Sequence, residues 1–409
     1  MIRLPLTYPL RTPLWPTGCR GRATCLCPLF EPPTRREESC GIRPASPEFR
    51  RFGWVKPSPS WRGFGTDLVQ PSLLTHPPLP FYARLRPVLY GPDVIKTQQR
   101  QRETPVSQDN ITTDLVTLRD YWRYAISRFN AAELGYGHGT TTAGDDAAFL
   151  LLDSLNLPID ALDPFLDARL LPSERKLLAE RIEMRVSTRK PSSYITGHSY
   201  IQGVRFHVDE RVIVPRSHIG EILFSEYLGE QGSAYLPDPF AVESAVDICT
   251  GSGCLAVLAA KFFPNAAIDA VDLSADALEV AKINVAEHEV QEQVSLYQGD
   301  LFAPLKGRTY DLIITNPPYV DHAAMAGFPA EHQAEPAMAH DGGEDGLDLV
   351  RQILDQAGDY LNPEGGMICE IGSGREILEE EYPHLQFLWL ETAESQDAVF
   401  FISAEALKG

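Results

Sequence analysis

The chain has 409 residues, enough for two or three domains at roughly 100–200 residues each. Hydrophobic residues make up 44% and charged residues 22%, the balance of a globular protein, and the longest apolar run, Cys254 to Ala260, is far short of the roughly 20 residues that cross a bilayer. The net charge of −20 is unevenly shared: residues 1–105 hold 16 of the 36 basic side chains and 7 of the 56 acidic ones, a net of +9, so the remainder carries −29. A body that acidic repels a nucleic-acid backbone unless it has a local basic groove.

Residues 1–105 also hold 18 of the 33 prolines and show neither helical nor strand periodicity. The composition is that of a disordered segment, and residues 1–111 are expected to form a basic, Pro/Arg-rich extension. Arg3, Arg11, Arg20 and Arg22 without an acid have a faint likeness to a transit peptide, but the prolines at 5, 9, 13 and 16 oppose its amphipathic helix. No apolar stretch suits a secretory signal, and a translation start placed too far upstream is the preferred reading. Seven scattered cysteines do not suggest a disulfide framework; Cys249, Cys254 and Cys369 read as buried thiols of a cytoplasmic protein. No metal site is expected.

Organised pattern begins near Leu115. Leu118, Trp122, Ala125, Ile126 and Phe129 predict a helix over 114–134, followed by helices over 147–155 and 173–186, the last capped by Ser173. These make a small helical domain over about 112–195. Alternation over 199–214 predicts a β-hairpin turning at Asp209-Glu210, within a linker at 196–216. His138 reads as a turn residue among glycines, and His340 with Asp341, Glu344 and Asp345 as a solvated acidic loop. From Ala245 onward strands alternate with helices, which predicts an α/β domain over 217–409 with a mainly parallel sheet, closed by an antiparallel pair at 387–390 and 398–402.

Two motifs carry chemistry. Strand 246–249 runs into Thr250-Gly-Ser-Gly-Cys254, where Gly251 and Gly253 let the backbone approach a ligand, and Asp272 ends the next strand, placed for ribose hydroxyls. Alone this also satisfies a dinucleotide fingerprint, and a nicotinamide enzyme stays open. Strand 311–315 ends in Asn316-Pro-Pro-Tyr319, a rigid extended turn. Asn316 offers a side-chain carbonyl, Pro317 a main-chain carbonyl and Tyr319 a flat face. Together they can grip a planar NH2 group, with two acceptors for its two hydrogens.

The spacing Asp247-x-x-x-Gly251-x-Gly253, the acid at 272, Gly299-Asp-Leu-Phe302 and Asn316-Pro-Pro-Tyr319 resemble class I S-adenosylmethionine-dependent methyltransferases acting on amide or amino nitrogen. Glu335-Pro336 and Gly342-Gly-Glu-Asp-Gly-Leu347 are similar to the HemK-type N(5)-glutamine methyltransferases. Arg216-Ser217 with Ile219-Gly220, Leu118-Arg-Asp-Tyr-Trp122 and Phe400-Phe-Ile-Ser-Ala404 resemble the branch that modifies large-subunit ribosomal protein L-three, although His218 departs from the proline expected there. The resemblance implies a Rossmann-like seven-stranded fold over about 112–409 and S-adenosyl-L-methionine as cofactor. It implies Asp247, Gly251, Gly253, Asp272, Asp300, Leu301 and Asn316 as the cofactor set, and Asn316, Pro317, Pro318 and Tyr319 as the substrate and catalytic set. The implied partner is a basic ribosomal protein, with no direct nucleic-acid substrate and no membrane. A release factor is the alternative client, and a DNA adenine methyltransferase a further one, since the same tetrad suits an exocyclic amine of a flipped base.

Overall fold

The computed structural model describes residues 108–224, 238–393 and 395–408. The expected extension over 1–111 therefore lies almost wholly outside the described residues.

The helical part opens with α1 (Gln108–Asp114) and α2 (Leu118–Ala131). The single helix expected over 114–134 is broken because Thr117 takes an extended conformation and caps α2: its hydroxyl accepts from Asp120 N, while the Asp120 carboxylate accepts from Thr117 N at 2.9 Å. α3 (Ala143–Ser154) and α4 (Pro172–Thr188) follow, then the short α5 (Ser192–Thr196). Ser173 is not the cap of α4. Pro172 starts the helix, where a missing N–H costs nothing, and the Glu174 carboxylate accepts from Leu171 N at 2.7 Å. Tyr121, Ala125 and Phe129 of α2 pack with Leu150, Leu151, Leu178 and Ile182 in a core of their own.

The hairpin is formed by β1 (His198–Ile201) and β2 (Val204–His207). Its turn is Gln202-Gly203 rather than Asp209-Glu210, with φ of 50° and 75°. Positive φ at both central positions is the turn that matches strand twist, and glycine enters it without strain. The Asp209 carboxylate is engaged by Arg211 instead.

After α6 (Ile219–Phe224) come β3 (Ser244–Ile248), α7 (Cys254–Phe262), β4 (Ala267–Asp272), α8 (Ala275–Glu287), β5 (Val294–Gln298) and β6 (Tyr310–Thr315). Then follow α9 (His322–Ala326), α10 (Asp348–Tyr360), β7 (Leu361–Glu370), α11 (Arg375–Glu381), β8 (Leu388–Trp389), β9 (Val399–Ser403) and α12 (Ala404–Lys408). The sheet order is β5-β4-β3-β6-β7-β9-β8, parallel except where β9 pairs with β7 and β8. Neighbouring residues of each central strand serve opposite faces. Leu312 and Ile314 join one core with α7, while Ile313 joins the other with Val350 and Ile353 of α10.

From β3 the chain builds outward through β4 and β5, then returns to lay β6 on the other side of β3. That reversal opens a crevice beyond the carboxyl ends of β3 and β6, where open α/β sheets bind ligands. Both sequence motifs end on it.

Candidate active site

Two cavities occupy the crevice. One, of about 280 Å³, is lined by Asp272, Asp300, Leu301 and Ala277, with Leu273 and Met338. The other, of about 250 Å³, is lined by Pro317, Tyr319, Arg216, Ser217, His332 and His340. Asn316, Pro318, Gly251 and Cys249 belong to both, so the turn after β6 forms the shared wall. The Asn316 side chain makes no hydrogen bond to another described residue, and no described amide donates to the Pro317 carbonyl. Both acceptors are therefore unspent, Asn316 on the shared wall and Pro317 on the lining of the smaller cavity.

On the larger side, Asp272 accepts from Gly251 N at 2.8 Å with one oxygen and from Ser274 N at 2.8 Å with the other. Burial pushes its carboxyl above the usual range, against the pull of those amides. Each oxygen keeps a lone pair for a ligand hydroxyl. Leu273 and Met338 leave about half of their surface open, 57% and 49%, on this cavity's wall. Apolar walls beside two carboxylates suit a nucleoside: hydroxyls to the acids, a flat base to the apolar side chains. S-adenosylmethionine has those groups, and Asp272, Asp300, Leu301 and the Gly251 loop would hold it.

Asp247 does not join them. It lines neither cavity and is 1% exposed, accepting from the Thr250 hydroxyl at 2.6 Å and Ala256 N at 3.0 Å. Its place is beneath the glycine loop, tying the end of β3 to the start of α7, because an apolar strand leads directly into it. Cys249 is also placed differently from a buried core thiol: it sits at φ 62° and reaches both cavities.

The smaller cavity contains residues that local reading passed over. Glu335 is fully buried and accepts from both Arg216 end nitrogens, at 2.9 and 3.0 Å, and from Val214 N at 2.8 Å. His340 Nε2 lies 3.0 Å and His138 Nε2 3.4 Å from its other oxygen. Burial would raise this carboxyl, but the His138, His340 and Arg216 donors outweigh it and hold it well below the usual range. His138, in a bend among glycines as expected, and His340 are thus buried partners of one carboxylate; in the acidic loop Asp341 and Glu344 are exposed, and only His340 departs from the expectation. Between them lies His332, its ring centre 4.3 Å from that of His138, and burial pushes its pKa down to about 4. Tyr319 donates to Glu370 at 3.1 Å. The sequence marks this cavity through Glu335-Pro336 and Arg216-Ser217; the histidines join them through folding alone.

A seven-stranded sheet of this order, with a glycine loop after β3, an acid ending β4 and Asn-Pro-Pro-Tyr ending β6, defines a class I S-adenosylmethionine-dependent methyltransferase fold. Residues 221–333 match the family model described as the methyltransferase small domain. A ribosomal protein uL3 glutamine methyltransferase of Bradyrhizobium diazoefficiens is 55% identical over 295 residues, covering 72% of this chain and 92% of its own. Its namesake in Bordetella pertussis is 52% identical over 301 residues, 73% of this chain and 99% of its own. That of Burkholderia pseudomallei is 48% identical, with 72% and 97% covered. The chain belongs to the HemK-type family of ribosomal protein uL3 glutamine methyltransferases.

Proposed function

We propose that this chain methylates the side-chain amide nitrogen of a glutamine in ribosomal protein uL3, with S-adenosylmethionine as methyl donor. The observation that carries the reaction is the shared wall, where Asn316 borders both cavities with its side-chain acceptor free. The names of relatives about half identical over nearly their whole length support the client.

S-adenosylmethionine, when bound, supplies an electrophilic methyl group on a positively charged sulfur. The chain's own task is to make a poor nucleophile react. A primary amide nitrogen has its lone pair delocalised into the carbonyl, so placement and electrostatics must supply the rate. Asn316 Oδ1 and the Pro317 carbonyl accept the two N–H hydrogens, which fixes the plane of the amide and turns its nitrogen toward the other cavity. The same acceptors stabilise the positive charge that develops on those hydrogens as the nitrogen gives up its lone pair. Tyr319 walls the amide on one side. No Ser or Cys nucleophile is required. The pKa of Cys249, raised by burial and the neighbouring Asp272 and Asp247 charges, keeps that thiol protonated and unreactive.

The acidity of residues 106–409, net −29, supports a basic protein client over a nucleic acid. The test is incubation of the purified chain with isotopically labelled S-adenosylmethionine and uL3 from a methylation-deficient ribosome extract, followed by peptide mass spectrometry. A labelled glutamine in uL3 is the expected result, and label confined to a release factor or to DNA would overturn it. Asn316→Ala should lower turnover by about 100-fold or more, the scale of a lost transition-state contact, while calorimetry still registers the cofactor.

A further inference from the structure

Glu370 ends β7, a strand whose preceding residues Met367, Ile368 and Cys369 are fully buried and apolar. A carboxylate at this position is 1% exposed, and its desolvation has to be offset by hydrogen bonds. What it has is a set of donors from two distant segments. Oε1 accepts from the Tyr319 hydroxyl at 3.1 Å. Oε2 accepts from the Ser217 hydroxyl at 2.7 Å and from His218 N at 2.9 Å. Tyr319 and Ser217 both line the smaller cavity.

The Tyr319 ring is fixed from a second direction. Gly372, at φ 60°, lies against it so closely that a Cβ there would stand 2.7 Å from ring Cδ2 and 2.8 Å from Cε2. Its main chain is braced too, since the next residue, Val320, donates to His340 O at 2.8 Å and accepts from Gly342 N at 2.9 Å. The hydroxyl bond to Glu370 adds an anchor at the far end of the ring. Burial and the Glu370 charge both push the Tyr319 phenol above its ordinary range, so it stays a donor at any working pH.

We propose that Glu370 is a positioning residue for methyl transfer, setting the Tyr319 ring and the Ser217 turn as two walls around the amide. The role rests on the glutamine-methylation reading above. Because Glu370 acts through Tyr319, its removal should reduce turnover and leave docking of the protein substrate alone.

The experiment compares wild type, Glu370→Met, Glu370→Gln, Tyr319→Phe and the double variant Glu370→Met/Tyr319→Phe. Glu370→Met should lower the thermal midpoint modestly, since three donors lose their acceptor, and lower kcat by about 10- to 100-fold, with KM for uL3 within about twofold. Glu370→Gln keeps an acceptor for Ser217 and a partner for the phenol, and should recover to within about fivefold of wild type. The double variant should lose little more than the worse single one, as expected for residues acting through one contact. Ring-labelled tyrosine NMR gives a readout free of activity: the Tyr319 Cε and Cζ shifts should stay close to wild type in Glu370→Gln and move in Glu370→Met, where the phenol loses its acceptor. Wild-type kcat in Glu370→Met, fully multiplying losses, or unmoved Tyr319 shifts in that variant would overturn the proposal. If wild type itself leaves uL3 unlabelled, the client reading fails, and the Tyr319 shifts still decide the role of Glu370.

Discussion

One oxygen of Asp247 lies in the interior with no partner among the described residues, while the other serves Thr250 and Ala256. Burial accordingly pushes its carboxyl up to about 7. An exposed aspartate sits near 4, so between those values the folded chain holds a proton that the unfolded chain has released. The contribution of Asp247 to stability is therefore full below about pH 4 and is lost as pH rises through about 7. Asp247→Asn preserves both accepted bonds and cannot ionise. The thermal midpoint of wild type should fall more between pH 5.5 and 8 than that of the variant; equal slopes in a pH-resolved melt would refute this. Asp247, Asp272 and Asp300 look equivalent as a string of acids, but depth separates them: the first is buried beneath the loop and the others border a cavity.

At the level of elements, the glycine loop shows how two like residues meet different demands. Gly251 has φ 55° with open space where a side chain would stand. Gly253 has φ 76°, and a Cβ there would come within 2.9 Å of Ala281 Cβ on α8. Alanine at 251 should cost about 1–2 kcal/mol from backbone strain alone. Alanine at 253 adds an overpacked contact and should cost about 2–4 kcal/mol. Denaturant melts of the two variants check the order, and a less stable Gly251→Ala would reverse the argument. The alternation of strands and helices from β3 onward was legible because each strand is a short apolar run closed by turn residues. The hairpin was legible as alternation but not in its turn, since Gln202 is an uncommon residue at a positive-φ turn position and only Gly203 marks the place. Helix α2 began late for a similar reason: only the hydrogen bonds of Thr117 and Asp120 show that the chain pauses there.

On the scale of the whole molecule, the helical part and the catalytic sheet share one loop. Glu331, fully buried, receives Arg189 at 2.8 Å with Arg185 at 3.8 Å, while Arg185 binds Asp146 at 2.9 Å and donates to Gly135 O. Four residues later Glu335 binds the linker through Arg216 and Val214. The segment over the smaller cavity is thus clamped to both neighbours by buried charges, which makes their separate motion costly. Outside, the net charge of −29 over residues 106–409 would attract a basic client at long range. Raising salt from about 50 to 500 mM shortens the screening length severalfold, so KM for uL3 should rise several-fold with kcat little changed. A KM indifferent to salt would exclude electrostatic steering.

The sequence by itself determined the order of strands and helices, the glycine loop and the Asn316–Tyr319 turn, because each is written in a few adjacent residues whose spacing obeys local geometry. It also carried the charge division between residues 1–105 and the rest. Only the tertiary structure decided which groups meet at the junction. Arg216 and Glu335 are 119 residues apart, Ser217 and Glu370 are 153 apart, and His138 comes from the helical part altogether. Such pairings leave no periodic trace, since a buried carboxylate is defined by donors that only the folded chain brings within 3 Å of it.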